Sequence, residues 1–470
     1  MEVHVELATD TKIFCGCSTR FGQEPNTQTC PVCLGMPGVL PVVNRKAVEF
    51  TIRTAIALNC RISERTWFDR KNYYYPDLPK NYQISQNYAC LGSDGWLEIP
   101  VGEAIKRVRI NNVHLEEDAG KLVHPDMPGA DYSLVDLNRA GTPLIEIVSE
   151  PDMASMDDAL AYMVTLKNLL EYIEVSDCKM QEGRLRFEVN ISMREAGATR
   201  LGTKVEIKNL NSMKTALKCI EYEMKRQSEL LARGGRVVQE TRLWDEAAGE
   251  TRAMRSKEMA HDYRYFPDPD LVEIHIPKAW QEEVRRNLPE LQEAKRRRYM
   301  EELGLPEYDA KVLTAAKKTA TYYEQAVAAY RNPKALSNWM MTEVLRELRE
   351  REMDADEFPL KPHGLAAIVR MIDEGRISGK IAKDVFQKAI ESGRPPEEIV
   401  QSEGLVQVSD TGEVERWVDE AIAENPDMAE KIRAGNEKTI QALVGQVMKK
   451  SRGKANPKLV NELIRTKLLA

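Results

Sequence analysis

Glu2-Val-His-Val-Glu6, His114-Leu-Glu-Glu-Asp-Ala-Gly-Lys121 and Thr203-Lys-Val-Glu-Ile-Lys-Asn-Leu-Asn211 each place acids on an otherwise apolar strand pattern. Successive side chains of an extended strand point to opposite faces, so Glu2, His4 and Glu6 share one face while Val3, Val5 and Leu7 share the other. The same alternation sets Glu188, Asn190 and Ser192 against Phe187, Val189 and Ile191, and sets Lys204, Glu206 and Lys208 against Val205 and Ile207. Strands of this kind build a sheet with one apolar face and one concave, acid-rich face. Gathered carboxylates repel one another unless a cation sits among them, and oxygen ligands with an occasional imidazole suit magnesium or manganese. A solvated face is the ordinary alternative for any single strand of an antiparallel sheet. Three strands, each with Glu beside His or Asn, favour a site.

Outward from these strands the pattern stays mixed to about residue 288, with strands at Lys106 to Val113 and Leu185 to Ser192 and a turn cluster at Gly92-Ser-Asp-Gly95. Ser155-Met-Asp-Asp158 reads as an N-cap with acid in the first turn, followed by a buried stripe of Leu160, Met163, Val164, Leu170 and Ile173. A second helix is predicted from about Ser212 to Arg233, ending at Gly234-Gly235. It follows the strand Lys204 to Lys208, so Asn209 and Asn211 fall at a helix N-terminus, where exposed N–H groups favour a phosphate. Simple helix capping is the alternative. From about 290 to 395 the pattern is helical, with Lys295-Arg-Arg-Arg298 on a solvated face. Beyond a hinge at Arg394-Pro-Pro-Glu397 comes a small helical module. The expected class is α+β: a cradle domain at 1–288 built on an antiparallel sheet, a helical domain at 289–396 and a C-terminal helical tail at 397–470.

Cys15-Gly-Cys17 and Cys30-Pro-Val-Cys33 frame a twelve-residue loop. Paired thiolates at both ends of a short loop are what a closed tetrahedral zinc site needs, and four protein ligands leave no position for substrate. A redox pair is the alternative, since C-x-x-C alone is ambiguous. Cys60, Cys90, Cys178 and Cys219 are scattered and read as small buried hydrophobes.

The 470 residues are 42% hydrophobic and 30% charged, an ordinary globular balance with no apolar run long enough for a membrane span. The charged N-terminus lacks a secretory or organellar leader pattern, so the expected compartment is the cytoplasm. A net charge of -7 argues against a nucleic-acid partner until its distribution is considered. Residues 431–470 carry ten Lys or Arg against two acids, a local balance of +8, which suits a tail that grips RNA through Lys449, Lys450, Arg452 and Lys454. Neither G-x-x-x-x-G-K-[ST] nor G-x-G-x-x-G occurs, and Gly375-Arg-Ile-Ser-Gly-Lys-Ile381 has the wrong spacing for a phosphate loop. The residues alone therefore indicate an acid-lined metal site and an RNA-binding tail.

Further runs carry a resemblance. Pro37-Gly-Val-Leu-Pro-Val-Val-Asn44, Asp69-Arg-Lys-Asn-Tyr-Tyr-Tyr-Pro-Asp77, Ser133-Leu-Val-Asp-Leu-Asn-Arg139 and Gly141-Thr-Pro-Leu-Ile-Glu-Ile-Val-Ser-Glu-Pro151 lie beside the acid-bearing strands. Asp262-Tyr-Arg-Tyr-Phe-Pro267 and Gly445-Gln-Val-Met-Lys-Lys450 follow in order. Together they closely resemble the B subunits of glutamyl/aspartyl-tRNA amidotransferases over nearly the whole chain.

That resemblance implies a heterotrimer with a glutaminase subunit that delivers ammonia and a small third subunit. It implies that this chain uses ATP and Mg2+ to phosphorylate the side-chain carboxylate of Glu misacylated on tRNA-Gln, or of Asp misacylated on tRNA-Asn, before amidation. Glu2, His4, Lys71, Glu117, Glu188 and Glu206 match the catalytic set, with His4, Glu117 and Glu206 as magnesium ligands. Asn190, Asn209, Asn211 and Lys80 are expected to bind the nucleotide; a free surface lysine is the alternative for Lys80. Glu116, Asp118 and Glu146 read equally as cap or salt-bridge residues, and His114 and His124 as structural histidines. The family includes members in which the four cysteines are replaced, consistent with a Zn2+ whose role is structural or in docking RNA. Relatives start several residues ahead of Glu2, so a truncated start or a short first strand is expected, and a frayed end would loosen Glu2 and His4. A metal-dependent RNA hydrolase and a non-catalytic tRNA-binding scaffold are the rival functions.

Overall fold

The computed structural model describes residues 1–125, 131–208, 210, 212–254, 263–405, 411–436, 438–451 and 455–469. Two compact units divide the chain, 1–291 and 292–470. In the first, a nine-stranded sheet runs in the order 250–253, 241–245, 205–208, 185–191, 2–6, 143–149, 104–117, 92–101, 61–62. Neighbours are antiparallel except 205–208 with 241–245, which are parallel. The first strand, Glu2–Glu6, lies inside the sheet and pairs on both sides, Val3 with Ile147 and with Phe187. The first strand is held at its start: the Met1 N-terminal nitrogen donates to Ser149 Oγ at 2.9 Å and the Ser149 N–H to the Met1 carbonyl at 3.0 Å.

One face of the sheet is dry. Val3, Val5, Val113, Leu115, Ile145, Ile147, Phe187, Val205 and Ile207 are all buried there, each worth about 1.5–3 kcal/mol relative to exposure. Three helices join that core, Arg45–Ala57, Met156–Tyr172 and Met213–Ala232. Each starts at a side-chain cap: Asn44 Oδ1 accepts from Lys46 N–H at 2.9 Å, Ser155 Oγ from Asp158 N–H at 3.1 Å and Ser212 Oγ from Thr215 N–H at 3.0 Å.

Two local expectations are corrected. The buried stripe of the helix 156–172 runs through Ala159, Tyr162, Met163, Leu166 and Leu170, while Leu160 and Val164 are exposed. The helix turns Tyr162 and Leu166 inward because the sheet lies on that side. Gly92 and Gly95 do not form a turn but open the strand Gly92–Val101. A side chain at Gly95 would strike Cys60 and the Leu58 carbonyl, and one at Gly92 would come within 2.9 Å of the Ala55 Cβ, so these glycines permit close backbone approach.

The second unit is helical and holds two apolar clusters, one around Tyr299, Phe358 and Phe386, the other around Val414, Leu443, Val460 and Ile464. In it, Lys295 and Arg298 close onto Glu324 rather than standing free in solvent. No helix among the described residues is long and apolar enough to cross a membrane.

Candidate metal centres on the sheet and in the cysteine loop

Opposite the dry face, strand register brings the polar residues together. His114, Glu146, His4 and Arg186 are direct partners across four consecutive strands. His4 Nε2 lies 3.7 Å from Glu116 Oε1 and 3.6 Å from Glu146 Oε2. These separations exceed hydrogen bonds and match donors spaced around a common ion. His4 Nδ1 is buried, with no hydrogen-bond partner among the described residues. His114 Nε2 sits 3.2 Å from Glu146 Oε2, and its Nδ1 lies 2.8 Å from Asn112 Oδ1. Ser85 Oγ donates to Glu116 Oε2 at 3.2 Å.

A second cluster lies along the same face. Glu2 stands directly opposite Glu188, and Glu206 opposite Asn190. The ligand atoms of Glu2, Glu188 and Glu206 lie within 4.8 Å of one another, as do those of His4, Glu116 and Glu146. Asn190 Nδ2 donates to Glu2 Oε1 at 3.1 Å, Thr241 Oγ1 to Glu206 Oε2 at 2.6 Å, and Lys208 Nζ sits 3.0 Å from Glu188 Oε2.

Charge balance follows from this crowding. Burial, then Glu146, Glu188 and Glu206, push the Glu2 carboxyl above its usual range. Burial opposes ionisation of Glu146 as well, but His114, His4 and Lys71 outweigh it and pull the group down to about 2. His114 is pushed up to about 10 because Glu116 and Glu146 overcome the cost of burial. Lys71, on the strand Asp69–Asn72, is held protonated against burial chiefly by Glu116, with Tyr265 and Glu146 contributing, and its Nζ lies 5.0 Å from the centre of the Tyr263 ring. The face thus offers His4 with two carboxylates, His114 beside them, three further carboxylates and the cations Lys71 and Lys208. This donor set suits hard divalent ions.

Glu117 stands apart from the ligand set expected of it. One step along the strand from Glu116, it turns to the other face, forms an ion pair with Lys80 and accepts the Ile84 N–H at 2.9 Å. It lines a cavity of about 160 Å³ together with Lys12, Cys15, Cys33 and Lys80. The expected trio of His4, Glu117 and Glu206 is therefore not gathered, since strand parity removes Glu117 and Glu206 belongs with Glu2 and Glu188. Lys80 is paired rather than a free surface lysine. Asp118 takes the salt-bridge role, accepting from Arg186 at 2.9 and 3.2 Å. His124 lies away from the face, its Nδ1 2.8 Å from Ser133 Oγ. Asn209 and Asn211 lie outside the described residues. Glu116, Glu146 and His114 belong to the site more closely than sequence reasoning suggests; the signal that finds them is their place in the strand alternation.

In the loop, the sulfurs of Cys15, Cys17, Cys30 and Cys33 lie within 4.8 Å of one another. Such a cluster can coordinate a structural metal. Cys33 is pulled down to about 4, first by the Cys15 hydrogen bond, while burial opposes and the Cys30 backbone and the Lys12 charge assist. Cys178 and Cys219 are buried as expected, whereas Cys60 and Cys90 are half-buried.

A mixed sheet with a carboxylate-and-imidazole face offers the donor set of a divalent-metal site on a rigid framework, followed in the chain by a helical unit. Residues 1–282 match the family described as the GatB/GatE catalytic domain, residues 321–468 match the family described as the GatB domain, and the chain belongs to this family of ligase-type amidotransferase subunits. It is 55% identical over 468 residues to the B subunit of the aspartyl/glutamyl-tRNA(Asn/Gln) amidotransferase of Caldanaerobacter subterraneus subsp. tengcongensis, covering 100% of this chain and 98% of that protein. The corresponding B subunits of Carboxydothermus hydrogenoformans and Geobacter sulfurreducens are 53% identical over 469 residues and 55% over 469, with the same coverage.

Proposed function

We propose that this chain activates the side-chain carboxylate of Glu misacylated on tRNA-Gln, or of Asp misacylated on tRNA-Asn, by phosphorylation from ATP, and then amidates it with ammonia supplied by a partner glutaminase subunit. The observation that carries this reading is the pair of three-donor clusters on one sheet face, with Lys71 beside Glu116 and Glu146. A carboxylate is a poor electrophile with no good leaving group, and an acyl phosphate corrects both faults. Phosphoryl transfer is catalysed mainly by positioning and charge neutralisation. Magnesium held by His4, Glu116 and Glu146, or by Glu2, Glu188 and Glu206, would supply that neutralisation when bound. Lys71 adds a fixed positive charge, and the strand pairing holds all six donors at set spacings.

The same reading assigns a structural zinc to the four cysteines, a heterotrimer with a glutaminase and a small third subunit, and tRNA binding to the tail. Of the four basic tail residues expected to touch RNA, Lys449 and Lys450 end the helix Lys438–Lys450, while Arg452 and Lys454 lie outside the described residues. We assign the cradle to 1–288, the helical domain to 289–396 and the tail to 397–470.

ADP formation, measured with and without misacylated tRNA and ammonium, tests the proposal. Turnover that needs both ATP and the misacylated tRNA, with the RNA recovered intact, is the expected result. ATP-independent RNA cleavage would replace it with a metal-dependent hydrolase, and no turnover would leave a binding scaffold.

A further inference from the structure

Lys12 is fully buried. A buried ammonium is costly unless a charge and hydrogen-bond acceptors compensate it, yet among the described residues no carboxylate is paired with it. Its Nζ instead donates to Cys33 Sγ at 3.6 Å and to the Leu137 carbonyl at 3.3 Å. Its backbone is tied to the cysteine loop, the Lys12 N–H donating to the Cys17 carbonyl at 2.9 Å, and the neighbouring Ile13 N–H donates to the Gly141 carbonyl at 2.9 Å. Gly141 adopts a φ of +81°, a backbone conformation that favours glycine, and lies in ordinary contact range of Cys33 and of the Lys12 stem.

We propose that Lys12 is the built-in counter-cation of the four-cysteine centre, a positioning residue that donates to Cys33 Sγ, offsets the excess negative charge of a tetrathiolate metal site and so slows metal loss and sulfur modification. Four thiolates around one divalent ion carry a net charge of two minus, which the interior tolerates poorly without a neighbouring cation. A hydrogen bond to a ligating sulfur also draws electron density away from it, the usual task of groups around a metal's ligands. The inference rests on the zinc reading of the cysteines. It adds that the loop is protected by a residue outside the cysteine pattern, Lys12, which with Cys33 lines the same cavity as Glu117 and Lys80.

The experiment starts with the metal content of the wild-type full chain; a metal-free folded protein defeats the zinc reading itself. With zinc present, Lys12→Met keeps the buried stem and removes the charge. Zinc transfer to a chromophoric chelator is expected to run about tenfold faster in the variant, corresponding to about 1.4 kcal/mol. Alkylation by iodoacetamide, in which a cysteine sulfur displaces iodide, should also quicken at Cys33 above the other three, as read by peptide mass. A merely structural lysine would instead lower the melting temperature without changing either rate, and equal rates in the two proteins overturn the proposal. Should Lys12→Met not fold, reductive methylation of the wild type decides: Lys12 modified only after the metal is chelated supports the pairing, and the same rate with and without metal refutes it.

Discussion

His4 and Glu146 face each other directly across neighbouring strands, the imidazole Nε2 3.6 Å from the carboxylate Oε2. Glu116 completes the group from the next strand but one, and Glu117 does not, because one residue of register moves a side chain to the other face. Glu146→Gln and Glu116→Gln should each lower magnesium-dependent ADP formation on the order of a hundredfold, with tRNA affinity nearly unchanged. Glu117→Gln should leave the magnesium requirement intact. A magnesium titration of all three variants checks this, and an unchanged Glu146→Gln would remove the cluster from the chemistry.

In the second cluster, Glu206 is held below the usual carboxylate range: burial opposes this, but the Thr241 hydroxyl and Lys208 outweigh it. Glu206→Ala should lower amidation by a similar factor, on the order of a hundredfold, through lost charge neutralisation. Thr241→Val keeps the carboxylate and removes one donor, so it should weaken magnesium binding by less. Direct calorimetric binding of magnesium separates the two effects, and wild-type amidation by Glu206→Ala would dismiss the second cluster.

Much of this is legible in the strand alternation. The faces of 2–6, 185–191 and 205–208 follow from period two, and the helix start at Ser155 follows from its cap. The site is less legible, because which acids meet depends on pairing between strands far apart in sequence: His4 meets Glu146 across more than a hundred residues, and no local pattern encodes that register. Gly92 and Gly95 mislead for a similar reason, since their small size answers to Leu58 and Cys60 of another segment and not to a local turn.

A buried network around Glu223 contributes to the acid stability of the first unit. Glu223 is fully buried, paired with Arg226 at 2.8 Å and hydrogen-bonded by Gln227 Nε2 at 2.9 Å and by Thr251. Burial alone would raise its carboxyl, but Arg226, Thr251 and Gln227 bring it below the ordinary glutamate range. A carboxylate depressed on folding contributes stability that is fully present above the unfolded value and lost as pH falls through the folded one. Glu223→Gln should therefore cost about 1–3 kcal/mol at neutral pH, and its gap from wild type should narrow below about pH 4, under the value of an unfolded glutamate. Denaturation of both proteins across that range measures the gap, and a pH-independent difference would rule out the ionised network.

In the tail, the basic residues differ in how far they are already compensated. Lys450 Nζ lies 3.1 Å from Glu420 and 2.7 Å from Glu424, and Lys467 Nζ lies 2.8 Å from Glu415 and 2.7 Å from Asp419. Lys449 is exposed at the end of the same helix as Lys450, with no ion pair to any described residue. Binding to a phosphate backbone releases counterions in proportion to the charge newly neutralised, so a lysine held by two carboxylates contributes less than an uncompensated one. Lys449→Ala should weaken tRNA binding and lower the salt slope by about one, whereas Lys450→Ala should change the slope by less. Removing residues beyond about 400 should raise the tRNA dissociation constant further and flatten its salt dependence, while ammonia-dependent turnover at saturating tRNA survives better than affinity because the carboxylate clusters lie on the sheet of the first unit. Binding isotherms across a salt series, taken on the full-length and shortened proteins, decide the matter. Equal slopes would mean that the helical tail serves a protein partner and that its lysines do not touch RNA.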